Sequence, residues 1–146
     1  MRIVIGSDHA GFPLKGAIAA HIRGLGHEVA DAGSYDPAPV DFPDIAKEVT
    51  RAILTGTADR GIMVCGTGVG AAIAANKVKG IRAAVCHDVH SAHQSVEHDD
   101  VNVMCIGAQI VGAWLAVDLV TAFLNAEFST EEQFRRRVAK LAEMER

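Results

Sequence analysis

The sequence predicts one α/β domain over residues 1–146, a three-layer α/β/α Rossmann-like arrangement with a five-stranded parallel sheet. Short β-branched runs alternate with longer segments of helical periodicity, the strand runs are apolar, and no low-complexity segment or linker divides them. Strands of a parallel sheet are buried on both faces and therefore have continuous apolar sequences. These observations together favour a single sheet covered by helices on each side.

The elements follow from composition and periodicity. The predicted strands are 2–6, 27–31, 61–65, 82–86 and 101–106. Apolar residues at helical spacing predict helices over 13–23, 42–54, 71–77, 111–124 and 129–146. Pro13 suits the first turn of its helix, where an N–H group has no partner in any case. Ser129 and Glu132 have the spacing of a capping box, which places the start of the last helix at Ser129.

Bulk properties exclude several classes of partner. The formal net charge of −4 argues against a nucleic-acid surface. No apolar stretch reaches the ~18 residues of a membrane-spanning helix, and Asp8 closes the first apolar run too early for a signal peptide. The cysteines, Cys65, Cys86 and Cys105, are odd in number and widely spaced. This pattern favours reduced thiols and a cytoplasmic location.

Polar residues follow the predicted strands. In open parallel sheets, ligands bind beyond the carboxyl ends of the strands, at the beginnings of helices. The candidates selected by this rule are Ser7, Asp8, His9, residues 65–70, His87, Asp88, His98 and Asp99. We expect these groups, although distant in the chain, to converge at one edge of the sheet.

The segment Cys65–Gly70 is the most informative. Glycines at 66, 68 and 70 allow several backbone N–H groups to face one anion, and the following helix adds a partial positive charge. Such surroundings favour the reactive thiolate of Cys65. The alternative is a tight strand-to-helix turn after a buried cysteine. The segment has neither the spacing of a dinucleotide-binding loop nor the lysine of a Walker A loop.

Asp8 and His9 permit two interpretations. A carboxylate accepts hydrogen bonds from sugar hydroxyls, and an imidazole donates to a phosphate or carries a proton. The alternative is an aspartate that caps a helix beside a solvated histidine.

Four histidines between residues 87 and 98 raise the hypothesis of a metal site. His87, His90 and His93 diverge around a helix, so one catalytic histidine with solvated neighbours is favoured and no metal is expected. In the last helix, Arg136 and Arg137 lie beside an apolar stripe. These arginines form either a solvated face or bidentate phosphate ligands.

Several ordered segments together carry a resemblance to a known family. They are Gly6–Phe12, Asp41–Pro43, Cys65–Gly70, Ile73–Lys77, Gly80–Ala84, Glu97–His98 and Asn102–Val103. On these segments the sequence resembles the ribose-5-phosphate isomerase B family, which includes galactose-6-phosphate and allose-6-phosphate isomerases. The resemblance implies conversion of ribose 5-phosphate to ribulose 5-phosphate through a cis-enediolate. Alternatives are isomerisation of a tetrulose 4-phosphate or a hexose 6-phosphate, or a non-catalytic phosphate-binding module.

The resemblance also implies roles for individual residues. Cys65 would move a proton between C1 and C2, Thr67 would assist at the oxygens, and His98 would open the furanose ring. The enediolate oxygen would be stabilised by the backbone amides of Gly66, Gly68, Val69 and Gly70. A second subtype of the family has a glutamate base in this loop, and Val69 at that position indicates the cysteine subtype.

Substrate binding is implied for five further residues, Asp8, His9, Asp99, Arg136 and Arg137. Three positions depart from the family pattern. Asp99 stands where asparagine is usual, Gln133 where a second phosphate arginine is usual, and Phe42 where tyrosine is frequent. Arg136 is the candidate replacement for the missing arginine.

The resemblance further implies a homodimer, in some members a dimer of dimers. The sites would lie at the subunit interface, with the C-terminal helix packed there. It implies no metal or organic cofactor, and neither a nucleic acid nor a membrane as partner.

Overall fold

The computed structural model describes residues 1–145, in which five strands alternate with helices. The strands are β1 (Arg2–Ser7), β2 (Glu28–Asp31), β3 (Arg60–Cys65), β4 (Ala83–Val85) and β5 (Val103–Gly107). The helices are α1 (Phe12–Gly24), α2 (Phe42–Leu54), α3 (Val69–Asn76), α4 (Val89–Asp99), α5 (Ala113–Asn125) and α6 (Glu132–Glu143). The five predicted strands are all present, and the histidine-rich stretch forms α4.

The sheet is parallel throughout, with the strand order β2-β1-β3-β5-β4. From β1 the chain crosses to β2 on one side, and from β3 it crosses to β4 on the other. The direction of the crossovers therefore reverses between β1 and β3. We call this position the switch point, and parallel sheets bind ligands at such positions. The register pairs Ser7 with Val64 and Cys65 with Gly107, so the carboxyl ends of the three central strands are level.

Helices cover both faces of the sheet. On one face α1, α4 and α5 pack over Ile5, Ile62 and Met104, and on the other α2 and α3 pack over Val4 and Met63. The alternation of side chains along each strand divides the core into these two halves. The predicted three-layer architecture is therefore confirmed. No helix among residues 1–145 has the length and apolar character needed to cross a membrane.

Helix α6 begins later than predicted. Its N-cap is Glu131, and the Ser129 hydroxyl accepts a hydrogen bond from the Glu131 N–H (3.1 Å) outside the helix. The Ser129 N–H donates to the Glu97 carbonyl (2.9 Å), which ties the chain to α4 before helical geometry starts. The predicted capping box of Ser129 and Glu132 is therefore wrong. The helix also ends at Glu143, with Met144 as its C-cap, so the predicted extent to Arg146 is too long; Arg146 itself lies outside the described residues.

Candidate active site

Cys65 is the last residue of β3, at the switch point of the sheet. Its side chain is buried, and its Sγ accepts a hydrogen bond from the Gly68 N–H at 3.0 Å. Gly68 makes this turn possible because its φ of +83° lies in the left-handed region that glycine adopts without strain. An N–H group aimed at the sulfur stabilises negative charge there, as required of a thiolate base.

Further backbone N–H groups follow Gly68 in the chain. Helix α3 begins at Val69, so Val69 and Gly70 belong to its first turn rather than to a loop. The Val69 N–H donates to the Thr67 hydroxyl (3.3 Å), whereas the N–H groups of Gly70 and Ala71 have no acceptor within residues 1–145. Unpaired amides at the positive end of a helix stabilise a bound anion. The predicted anion-binding segment therefore has free donors beside Cys65.

Residues at and after the end of β5 hold the segment that follows Cys65 in place. The Ala108 N–H donates to the Cys65 carbonyl (2.8 Å), and the Gln109 N–H donates to the Gly66 carbonyl (3.0 Å). A Cβ atom at Gly107 would lie 2.7 Å from the Thr67 Cα, so only glycine permits this contact. The loop is thus fixed by hydrogen bonds and by direct backbone packing.

Asp8 and His9 follow β1 at the same edge. Asp8 is buried, and its Oδ1 accepts a hydrogen bond from the Gly11 N–H (2.9 Å) in the turn before α1. The N-cap of α1 is Gly11, so Asp8 is not the helix cap that was considered as the alternative. A Cβ atom at Gly11 would lie 2.0 Å from the Val64 carbonyl oxygen, so this turn packs directly on the end of β3. His9 is exposed, and its Nδ1 accepts from the Val40 N–H (3.2 Å), which leaves Nε2 for a ligand.

Within one chain, His98 and Asp99 do not lie at the carboxyl edge of the sheet with Cys65. Helix α4 leaves the carboxyl edge of the sheet after β4 and returns the chain to the amino edge, where β5 begins. Both residues lie in its last turn, about 15 Å along the helix axis from its start. The expectation that they meet Cys65 at one edge is wrong because residues that precede a parallel strand lie at its amino end.

A second cluster forms between α4 and α6. The His98 ring stacks on Phe134 with 4.0 Å between ring centroids, and the Arg137 guanidinium lies 5.7 Å from the centroid of the Phe134 ring. Arg136 forms an ion pair with Glu132 and is exposed. We call His98, Phe134 and Arg137 the α4–α6 cluster, and the groups around Cys65, with Asp8 and His9, the carboxyl-edge cluster. One chain keeps the two clusters apart.

The structure adds contacts of three residues, of which the sequence analysis had selected only His87, as a candidate that follows a strand. His87 accepts a hydrogen bond from the Gly107 N–H, and the Gln109 amide lies within 3.5 Å of where a Cβ atom of Gly66 would stand. Both follow strands, so their positions were a usable signal. Lys15 is buried on α1 and donates to the Asp31 carboxylate at 2.8 Å. Its place in a helical pattern gave no sign of this contact.

The histidine-rich stretch is engaged in other contacts. His93 Nε2 pairs with the Glu97 carboxylate (2.6 Å), and His87 binds backbone. Within residues 1–145, no group of three or more histidine, cysteine, aspartate or glutamate residues is arranged to hold a metal ion.

An α/β domain with a thiol and unpaired amides at its switch point has the two groups that an enzyme needs to move a proton beside a carbonyl group, a base and an anion site. Comparison with known proteins makes the assignment specific. The family described as Ribose/Galactose Isomerase matches residues 3–141. The chain belongs to this family and is an enzyme of the isomerase class.

Individual relatives agree with the family assignment. The chain is 46% identical over 127 residues to ribose-5-phosphate isomerase B of Escherichia coli, covering 87% of this chain and 85% of that protein. It is 43% identical over 131 residues to a D-erythrulose-4-phosphate isomerase of Pectobacterium atrosepticum, covering 88% and 85%. The structure of Clostridium thermocellum ribose-5-phosphate isomerase B superposes with a TM-score of 0.96 at 47% identity, covering 99% and 97%.

Proposed function

We propose that this enzyme interconverts ribose 5-phosphate and ribulose 5-phosphate, with Cys65 as the base. The observation that carries the proposal is the hydrogen bond from the Gly68 N–H to the Cys65 Sγ (3.0 Å), next to the free N–H groups of Gly70 and Ala71. A base and an anion site side by side are what proton transfer α to a carbonyl requires.

The reaction proceeds on the open-chain sugar. The Cys65 thiolate removes the proton from C2 of the aldose, and the electron pair moves onto the C1 oxygen to give a cis-enediolate. The free amides of Gly70 and Ala71 stabilise that oxygen, while the Gly68 amide stays on the Cys65 sulfur, and the Thr67 hydroxyl assists the transfer of a proton between O1 and O2. Return of the proton from Cys65 to C1 yields the ketose, with no net oxidation or reduction.

The remaining roles fall to binding groups. Asp8 holds sugar hydroxyls, while His9 and Arg137 hold the phosphate with Arg136 beside them. His98 opens the furanose ring, and Asp99 lies next to it. Because His98 and Arg137 belong to the α4–α6 cluster, they serve a Cys65 that is not in their own chain.

A homodimer therefore completes the site, with tetramers as a further assembly. Helix α6 has no buried residue within the single chain, and Leu141 and Met144 are exposed on it. Apolar side chains are also exposed around α3, at Val69 and Ile73. Such surfaces favour association with a second copy. The three free thiols support a cytoplasmic location.

Replacement of the base tests the mechanism. Cys65→Ala is expected to abolish both isomerisation of ribose 5-phosphate and exchange of the C2 hydrogen with solvent deuterium, since burial raises the pKa of the other two thiols, Cys86 and Cys105. Cys86→Ala is the matched control, because Cys86 lies at the end of β4, packed in the core of the other face, and keeps the base intact. Turnover by Cys65→Ala comparable to that of the control would eliminate Cys65 as the base.

A four-carbon sugar phosphate is the second candidate substrate. The 43% identity to a D-erythrulose-4-phosphate isomerase favours it, as do Asp99 and Gln133, which depart from the family pattern. A comparison of kcat/KM across four-, five- and six-carbon aldose phosphates decides between them. The five-carbon substrate is expected to give the largest value. A larger value for the four-carbon sugar would reassign the substrate while leaving the role of Cys65 untouched.

A further inference from the structure

The Gly107 N–H donates to Nε2 of His87 at 2.9 Å. Strands β4 and β5 pair Ala83 with Val103 and Val85 with Cys105, and this register continued by two residues sets His87 opposite Gly107. Strand β4 ends at Val85, so the regular ladder stops before that point. The His87 ring thus supplies an acceptor for a buried N–H beyond the end of the ladder.

Gly107 is in turn the residue against which the Cys65 loop packs. A Cβ atom on Gly107 would lie 2.7 Å from the Thr67 Cα and 2.8 Å from the Gly66 carbonyl oxygen. Gly107 also pairs with Cys65 in the sheet register. Any displacement of Gly107 is therefore transmitted to the loop that holds the thiol and its neighbouring amides.

We infer that His87 is a positioning residue, which fixes Gly107 and through it the geometry of the Cys65 loop. The inference deepens the proposed function, because it rests on that loop as the base and anion site. Loss of the ring would leave the buried Gly107 N–H without an acceptor, and the end of β5 would shift to satisfy it. A shift of about 1 Å in catalytic groups is enough to reduce turnover about 100-fold.

The hydrogen bond also defines the protonation state of His87. Nε2 accepts from a backbone N–H and so carries its lone pair, which places the proton of the neutral ring on Nδ1. An imidazolium has no acceptor and does not form this contact. The functional form of His87 is therefore the neutral Nδ1–H tautomer.

Steady-state kinetics of two variants test the role. His87→Leu removes the acceptor, whereas His87→Gln keeps an oxygen at a similar reach. His87→Leu is expected to lower kcat about tenfold or more with KM within about twofold, and His87→Gln to retain kcat within about threefold. His90→Leu is the control, because His90 is an exposed histidine of the same segment. It should leave both constants unchanged.

Equal impairment of the Leu and Gln variants, or a change in KM alone, would overturn the inference. Nitrogen NMR of the unsubstituted protein tests the contact even where a variant fails to fold. The expected result is a proton on Nδ1 of His87 and a scalar coupling between Nε2 and the Gly107 nitrogen; a proton on Nε2 contradicts it. Failure of the proposed function is distinguishable, since retained turnover in Cys65→Ala would remove the base without altering this NMR result.

Discussion

The three cysteines have the same side chain but different surroundings. Cys105 is fully buried at the centre of β5, and burial raises the pKa of its thiol well above the usual range. Burial also raises the pKa of the Cys86 thiol, only partly offset by its contact with Ser95. Cys65 instead stands at a strand end with a backbone N–H on its sulfur. Reactivity should therefore be concentrated in Cys65, since the thiolate is the reacting form.

Alkylation of the native protein by iodoacetamide at neutral pH should therefore modify Cys65 at least about tenfold faster than either other thiol. Peptide mass spectrometry measures the site, and activity measured in parallel should fall in proportion to modification of Cys65. In the Cys65→Ala variant, labelling should nearly cease. Modification of Cys86 before Cys65 would contradict this assignment of reactivity.

Gly68→Ala should destabilise the fold. At the Gly68 φ of +83° a side chain is strained, and its Cβ would lie 3.3 Å from backbone carbons of Cys105 and Ile106. The expected loss is about 1–2 kcal/mol in the free energy of unfolding, measured in urea, with reduced turnover because the N–H that faces Cys65 moves. Gly16→Ala is the control. Its Cβ would meet nothing within 4 Å, and it should be neutral or stabilising.

For individual residues, the sequence predicted which residues belong to the candidate site better than it predicted the hydrogen bonds that they make. The glycine loop after an apolar strand was sufficient to locate Cys65 and the free amides, because both follow from local geometry. The contact between His87 and Gly107 was not predictable, because it depends on β4 ending early relative to β5. Asp8 was left with two interpretations, and its carboxylate bonds the Gly11 N–H in the turn before α1 rather than capping the helix.

Among the secondary-structure elements, the ends of the helices depend on tertiary contacts, which the periodicity of the sequence does not predict. Periodicity located α1, α2 and α5, whereas Ser129 matched a capping pattern and is instead tied to α4. The end of α5 is another such case. It carries no basic residue in its last turn, and Arg60 of β3 supplies the donors from across the fold.

Loss of those donors should destabilise the fold measurably. Arg60 donates to the carbonyls of Phe123 (2.6 Å) and Ala126 (2.7 Å), and desolvation by burial lowers the pKa of its guanidinium. Arg60→Met should therefore cost about 2–3 kcal/mol in the free energy of unfolding, because carbonyls at the end of α5 lose a charged donor. Arg51→Met, at an exposed site, should change it by less than about 0.5 kcal/mol. Equal effects of Arg60→Met and Arg51→Met would show that the hydrogen bonds from Arg60 to the end of α5 contribute nothing to the free energy of unfolding.

For the whole molecule, the topology of the sheet decides which of the candidate residues lie together. Closeness to a strand in the sequence does not decide it. The rule that ligands bind beyond strand ends selected Asp8, His9 and Cys65 correctly as neighbours at one edge. Applied to His98 and Asp99 it failed, because α4 carries them to the amino edge before β5 begins. The α4–α6 cluster then has a histidine and an arginine around Phe134, but no thiol. The proposed reaction uses residues of both clusters.

Mixed dimers test whether two copies complete each other. Cys65→Ala and His98→Ala should each be impaired as homodimers, yet a dimer of one chain of each kind contains one site with both residues intact. Random association of equal amounts makes half of the dimers mixed, so co-expression should restore about one quarter of wild-type activity. Differently tagged chains allow the mixed dimer to be isolated, and activity is measured on that dimer as well as on the mixture; the isolated mixed dimer of the two single variants should have about half of wild-type activity. A double variant, Cys65→Ala with His98→Ala, co-expressed with the unsubstituted chain is the control. It places both substitutions in one chain and leaves each mixed site with one defect, so mixed dimers should be inactive. If Cys65 and His98 instead acted within one chain, the isolated mixed dimer of this control would keep about half of wild-type activity, and the isolated mixed dimer of the two single variants would be inactive, because each site would then depend on one chain alone.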